Sequence, residues 1–192
     1  MRKLVVTQFV SLDGVMEDPG GSEGTDLGAW TFKFDRGDDG NTFKLDEVMA
    51  ADALLLGRVT YEGFAAAWPD RKDEAGFADK FNAMPKYVVS STLENPSWNN
   101  SHVIKPDGVA GSINAIKQEG DGDILVNGSN TLMQALMEED LVDEYRLMLF
   151  PVVLGHGKKL FPDGRPKTTL KLVGTQPVGP DGVVVLTYMP AR

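Results

Sequence analysis

Three stretches of the 192-residue chain join an apolar run to a turn of small, hydroxyl or charged residues. They are Leu55-Leu56-Gly57-Arg58-Val59-Thr60-Tyr61, Val88-Val89-Ser90-Ser91-Thr92 and Leu125-Val126-Asn127-Gly128-Ser129-Asn130-Thr131-Leu132. Each predicts a buried strand that ends in a turn, usually one that opens a helix. In open α/β sheets, ligands bind beyond the carboxyl ends of the strands. Backbone N–H groups at a helix start, the helix dipole and a glycine that permits close approach make an anion site there. Ser90, Ser91, Thr92, Ser129 and Thr131 would add hydroxyl donors, and Arg58 a charge. Read alone, each stretch fits an ordinary structural feature at least as well, with Gly57 ending a strand and Ser129 capping a helix. Three together fit a ligand with several phosphates, such as a dinucleotide.

A second group of residues could face a substrate. Asp13 follows the first expected strand, where a carboxylate could orient or protonate a substrate, or simply form a turn with Gly14. Thr7 and Gln8, near the end of that strand, could hydrogen-bond a heterocycle. Trp30, Phe32 and Phe34 interrupt a long Gly-rich polar stretch. They either tack it to the core or line a substrate pocket. His156, between Gly155 and Gly157, fits an exposed turn best.

Composition narrows the chemistry. With no cysteine, disulfides, thiol catalysis and cysteine-ligated zinc are excluded. The two histidines, His102 and His156, are far apart, so no transition-metal site is expected. A net charge of −9 without a basic stripe argues against a nucleic-acid partner. No apolar run approaches the roughly 20 residues needed to span a bilayer. The opening residues lack the pattern of a secretory leader, so a cytoplasmic location is expected.

The elements that must position these residues alternate. Strands are expected at 3–12, 53–57, 86–90, 102–104, 123–126, 142–151, 168–175 and 183–189. Helices are expected at 42–51, 60–67, 74–82, 109–117 and 129–137. The turn Gly179-Pro180-Asp181-Gly182 makes the last two strands a hairpin. The stretch 13–41 reads as a functional loop, a lid or the site of a short helix. This order predicts one α/β domain over residues 1–192, with a mostly parallel sheet covered by helices and antiparallel strands at the C-terminal end.

An ordered set of motifs resembles the dihydrofolate reductase superfamily, and within it the group related to the reductase domain of bifunctional riboflavin biosynthesis proteins. The set runs Ser11-Leu12-Asp13-Gly14, Gly57-Arg58-Val59-Thr60-Tyr61-Glu62, Lys86-Tyr87-Val88-Val89-Ser90, Asn127-Gly128-Ser129, Leu141-Val142-Asp143-Glu144, and Pro151-Val152-Val153-Leu154-Gly155-His156-Gly157 followed by Leu160-Phe161. The resemblance implies a three-layer α/β/α sandwich around a central mixed sheet, with NADPH as hydride donor. It implies Gly57, Arg58 and Thr60 at the cofactor phosphates, and Ser90, Ser91 and Thr92 around the adenosine ribose and its 2′-phosphate. Gly128, Ser129, Asn130 and Thr131 would cradle the pyrophosphate. Asp13 would act in catalysis, with Thr7, Gln8 and Trp30 on the substrate side. No acid matches the one that grips the pterin in dihydrofolate reductases proper. The expected activity is therefore reduction of a small pteridine- or pyrimidine-like ring, with the riboflavin-pathway step as the nearest named example. A homodimer built on the C-terminal strands is expected, as in related domains. The alternative is a non-catalytic, dimeric nucleotide-binding or regulatory module on the same fold.

Overall fold

The computed structural model describes residues 1–191. In chain order the elements are β1 (Leu4–Ser11), a short 3-10 helix (Trp30–Lys33), α1 (Gly37–Met49), β2 (Ala51–Gly57), α2 (Arg58–Ala67), α3 (Phe77–Ala83), β3 (Lys86–Val89), β4 (Ser101–Ile104), α4 (Val109–Ile116), β5 (Asp123–Val126), α5 (Asn130–Glu138), β6 (Glu144–Phe150), β7 (Leu170–Val178) and β8 (Val183–Pro190). The strands form one eight-stranded mixed sheet in the order β4-β3-β2-β5-β1-β6-β8-β7. The expected α/β class with a mixed sheet is what the chain adopts. Among the described residues no helix is long and apolar enough to cross a membrane.

The residues group into two compact units, each drawn from separate stretches of chain. The first comprises Met1–Val5 and Lys44–Val142. Its strands are parallel: Leu54 of β2 pairs with Lys86 of β3 on one side and with Leu125 of β5 on the other. A strand paired on both edges and covered on both faces must be apolar throughout. Only Asp52 of β2 is not fully buried. Leu54, Leu56, Val88 and Leu125 pack with Tyr61, Phe81 and Trp98 in the core of this unit.

The second unit comprises Val6–Phe43 and Asp143–Arg192. Here β6, β8 and β7 are antiparallel, and the expected hairpin joins β7 to β8. Gly179 and Gly182 both have positive φ in that turn, which suits glycine. The core of this unit is aromatic. Phe9 and Trp30 meet Phe150 edge-on, with ring centroids 5.6 and 5.5 Å apart.

Several boundaries differ from expectation. α1 begins at Gly37 rather than at residue 42. Residues 37–41 are Gly-Asp-Asp-Gly-Asn and carry no apolar period, so pattern alone misses them. Other groups hold this first turn: Asp35 accepts from the Gly37 amide at 2.7 Å, and Asp39 accepts from the Gly179 amide at 3.0 Å. α3 begins at Phe77, later than expected, because Asp73 caps it through the Phe77 and Ala78 amides at 2.9 and 2.6 Å. No helix follows the Val88–Thr92 stretch; a loop does.

Candidate functional site

Two of the three sequence stretches converge in the first unit. β2 and β5 are parallel neighbours, so their carboxyl ends lie side by side, and each feeds directly into a helix. The Gly57 amide donates to the Gly128 carbonyl at 2.9 Å, joining the start of α2 to the turn before α5. A Cβ on Gly57 would lie 2.9 Å from the Ser129 Cβ. A Cβ on Gly128, whose φ is 142°, would lie 2.5 Å from the Thr60 hydroxyl. Glycine at both positions is therefore needed for the two turns to pack together. The sequence suggested glycines that admit a ligand; the structure adds a packing role, since the space where their side chains would stand is taken by Ser129 and Thr60.

The helix starts remain the anion-directed feature. α2 has Gly57 as its N-cap and no capping side chain. The first-turn amides of such a helix look to water or a ligand. α5 is capped by Ser129, whose hydroxyl accepts from the Leu132 amide at 3.4 Å. Asn130 and Thr131 form its first turn. Arg58 is exposed and its guanidinium pairs with both Glu62 oxygens, at 2.8 and 2.9 Å, one helical turn on. An exposed pair of this kind is worth roughly 0–1 kcal/mol, so an incoming phosphate can compete for Arg58.

The third stretch lies next along the sheet, since Val89 of β3 pairs with Gly57. Ser90 is buried there. Its hydroxyl accepts from the Thr92 and Leu93 amides at 3.1 and 2.9 Å and so shapes the loop. Ser91 and Thr92 are exposed and open to solvent. Lys105 carries no local sequence signal. Its Nζ lies 3.4 Å from the Ser91 carbonyl, which puts a second exposed cation beside those hydroxyls. Only the parallel β3–β4 pairing, with Val89 opposite Ile104, brings residues 14 apart together.

The residues assigned to a substrate behave differently. Trp30 is almost fully buried, donates from Nε1 to the Glu17 carbonyl at 2.8 Å and belongs to the aromatic core. It tacks the Gly-rich stretch to that core. Thr7 and Gln8 are buried polar residues of β1. Asp13 accepts from the Ser11 hydroxyl at 2.6 Å, the Leu154 amide at 3.1 Å and the Gly155 amide at 2.7 Å. The Ser11 bond above all, aided by the two amides and opposed by burial, holds its pKa down to about 2. Asp13 is therefore ionised at neutral pH, the form in which a carboxylate orients a substrate rather than protonates it. Its role is to tie the 13–16 turn to the 154–155 turn. Among the described residues no group of His, Asp or Glu side chains could hold a metal ion.

Asp13 also makes a testable contribution to stability. Its folded pKa lies below the ordinary carboxylate value, so the stabilisation is present above about pH 4 and fades as pH falls through about 2. Asp13→Asn is expected to unfold at lower denaturant concentration than the parent at pH 7. The difference should shrink as acid is added, as measured by urea titration at a series of pH values.

The parallel strands, the helix starts at their carboxyl ends and the antiparallel C-terminal hairpin make a dihydrofolate reductase-like fold. A structure from Shewanella sp. PV-4, provisionally assigned to riboflavin biosynthesis, has the same fold, with a TM-score of 0.74, 21% identity and 99% of both chains covered. Dihydrofolate reductase from Enterococcus faecalis, solved with NADP(H), matches with a TM-score of 0.64 at 17% identity, covering 99% of this chain and 97% of that one. Residues 2–184 match the model of the RibD C-terminal domain, and the chain belongs to that family. The uncharacterized protein YyaP of Bacillus subtilis is 30% identical over 190 residues, covering 97% of this chain and 94% of its own.

Proposed function

We propose that this protein is an NADPH-dependent reductase of a small pteridine- or pyrimidine-like ring, with reduction of 5-amino-6-(5-phosphoribosylamino)uracil in riboflavin biosynthesis as the nearest named chemistry. The observation that carries the reading is the joining of two helix starts through Gly57 and Gly128 at the ends of adjacent parallel strands. The donor set suits a phosphorylated dinucleotide. The starts of α2 and α5, with Thr60, Ser129, Asn130 and Thr131, supply dipole and hydroxyl donors for the pyrophosphate. Ser91, Thr92, Arg58 and Lys105 supply hydroxyls and cations for a 2′-phosphate. Ser90 acts by shaping its loop. Bound NADPH supplies a hydride. The chain binds and orients, and Thr7 and Gln8 are the groups we assign to the ring. The reading sets the protein in the cytoplasm.

The test is oxidation of NADPH by the purified protein across a panel of pteridines and aminouracils, followed by loss of the reduced-nicotinamide absorbance. Saturable oxidation with one class of ring is expected. One observation favours a second reading: the Asp13 carboxylate is already engaged by the Ser11 hydroxyl and the Leu154 and Gly155 amides. NADPH binding without turnover across the panel would support a non-catalytic nucleotide-binding module and overturn the reductase.

We also propose a homodimer. β7 ends the sheet order and exposes Leu172 and Val173, 48% and 47% accessible, at an irregular point of its pairing. An unpaired edge with apolar side chains invites a second copy, and a twofold contact needs only one self-complementary patch. Sedimentation at micromolar concentration should give twice the chain mass. A monomer across the whole concentration range would contradict this.

A further inference from the structure

Lys86 sits in β3 with no accessible surface and, among the described residues, no carboxylate partner. Its ammonium donates to the carbonyl of Asn82, in the last turn of α3, and to that of Asn99 at 3.0 Å. It also lies 4.3 Å from the centre of the Trp98 ring. The Lys86 amide donates to the Asn100 carbonyl at 2.9 Å. Trp98 extends the network: its indole N–H donates to the Asn82 side chain at 2.7 Å, and its amide donates to the Tyr61 hydroxyl of α2 at 2.8 Å. One buried amino group thus ties residues 97–100 to the end of α3 and, through Trp98, to α2.

Charged or titratable groups on the surrounding elements are Asp52 on β2, Arg58, Tyr61 and Glu62 on α2, Asp79 and Lys80 on α3, Tyr87 on β3 itself, Glu94 in the loop, His102 on β4 and Lys105 just after it. None of them bonds to Lys86. Burial alone acts on it and pulls its pKa down to about 8. The segment held by this side chain is the same loop that begins with Ser91 and Thr92.

We infer that Lys86 is a positioning residue: a buried, proton-linked strut that sets how tightly residues 97–100 are held, and with them the Ser91–Thr92 arm of the cofactor site. The final clause rests on the NADPH reading, whereas the strut itself does not. The direction of the linkage follows from burial. When the segment lifts, the ammonium is rehydrated and its pKa returns towards 10.5. Opening therefore takes up a proton. It is favoured below about pH 8 and suppressed as pH rises from there towards 10.5.

The test is amide hydrogen exchange on the full chain between about pH 7 and about pH 10, corrected for the intrinsic pH dependence of exchange. The opening constant reported by the Trp98 and Lys86 amides is expected to fall about fivefold from pH 8 to pH 9. The Gly155 amide, which donates to Asp13 at 2.7 Å on an exposed turn and can exchange without uncovering Lys86, serves as the reference and should show no such step. In Lys86→Met, which keeps an apolar stem and removes the charge, the Trp98 step should vanish. A flat wild-type profile, or the same step in the variant, would overturn the strut. If the variant does not fold, the wild-type profile decides alone. Saturating NADPH should further protect the Trp98 amide. A pH step without that added protection would keep the strut and overturn its link to the cofactor arm.

Discussion

Gly128→Val is expected to cost the fold about 3 kcal/mol or more, well before any effect on a ligand is seen. Two causes act together. The backbone at Gly128 has a φ of 142°, which side chains rarely adopt and a β-branched one least of all. The new Cβ would also lie 2.5 Å from the Thr60 hydroxyl and 3.2 Å from its methyl carbon. Thr60 belongs to α2, so relief would have to come from shifting the start of that helix. The midpoint of chemical denaturation should drop sharply whether or not NADPH is present. A variant as stable as the parent, but with NADPH binding abolished, would instead return Gly128 to the purely ligand-facing role that the sequence suggested.

The second large effect concerns the 2′-phosphate. Arg58→Ala is expected to weaken NADPH on the order of tenfold, about 1.4 kcal/mol, while leaving NADH nearly unchanged. Glu62 holds the guanidinium in the structure, but both side chains are largely exposed, 43% and 49% accessible. Handing Arg58 from Glu62 to a phosphate therefore costs little. Lys105→Ala should act in the same direction, because its ammonium stands beside Ser91. Calorimetry with each cofactor would measure both variants. Equal weakening of NADPH and NADH by either change would move the 2′-phosphate away from that cation.

Most of the fold is readable from apolar pattern. The runs that become β2 and β5 are continuous because both faces are covered, and Gly179 and Gly182 mark the one tight hairpin. The first turn of α1 is not readable, because Asp35 and Asp39 hold it through the Gly37 and Gly179 amides, the latter 140 residues away. In the site, the strand-to-turn stretches could be seen because strand ends have a recognisable composition. What each glycine touches could not, since Thr60 and Ser129 fill the space only once β2 and β5 are paired. Asp13 looked equally like a turn residue and an acid until its three donors were in view. Lys86 reads only as the first residue of a strand. Its carbonyl partners are Asn82, at the end of α3, and Asn99, in the loop that follows β3, which no local pattern reveals.

The central claim is that the joined helix starts hold a 2′-phosphorylated dinucleotide, and direct binding measures it most simply. Titrating the purified protein with NADPH and, separately, with NADH should give saturable binding of both, with NADPH tighter by about tenfold or more at low salt. That margin should narrow as salt is raised, since exposed cations provide it. No binding of either cofactor, or equal binding of the two at every salt concentration, would contradict the account.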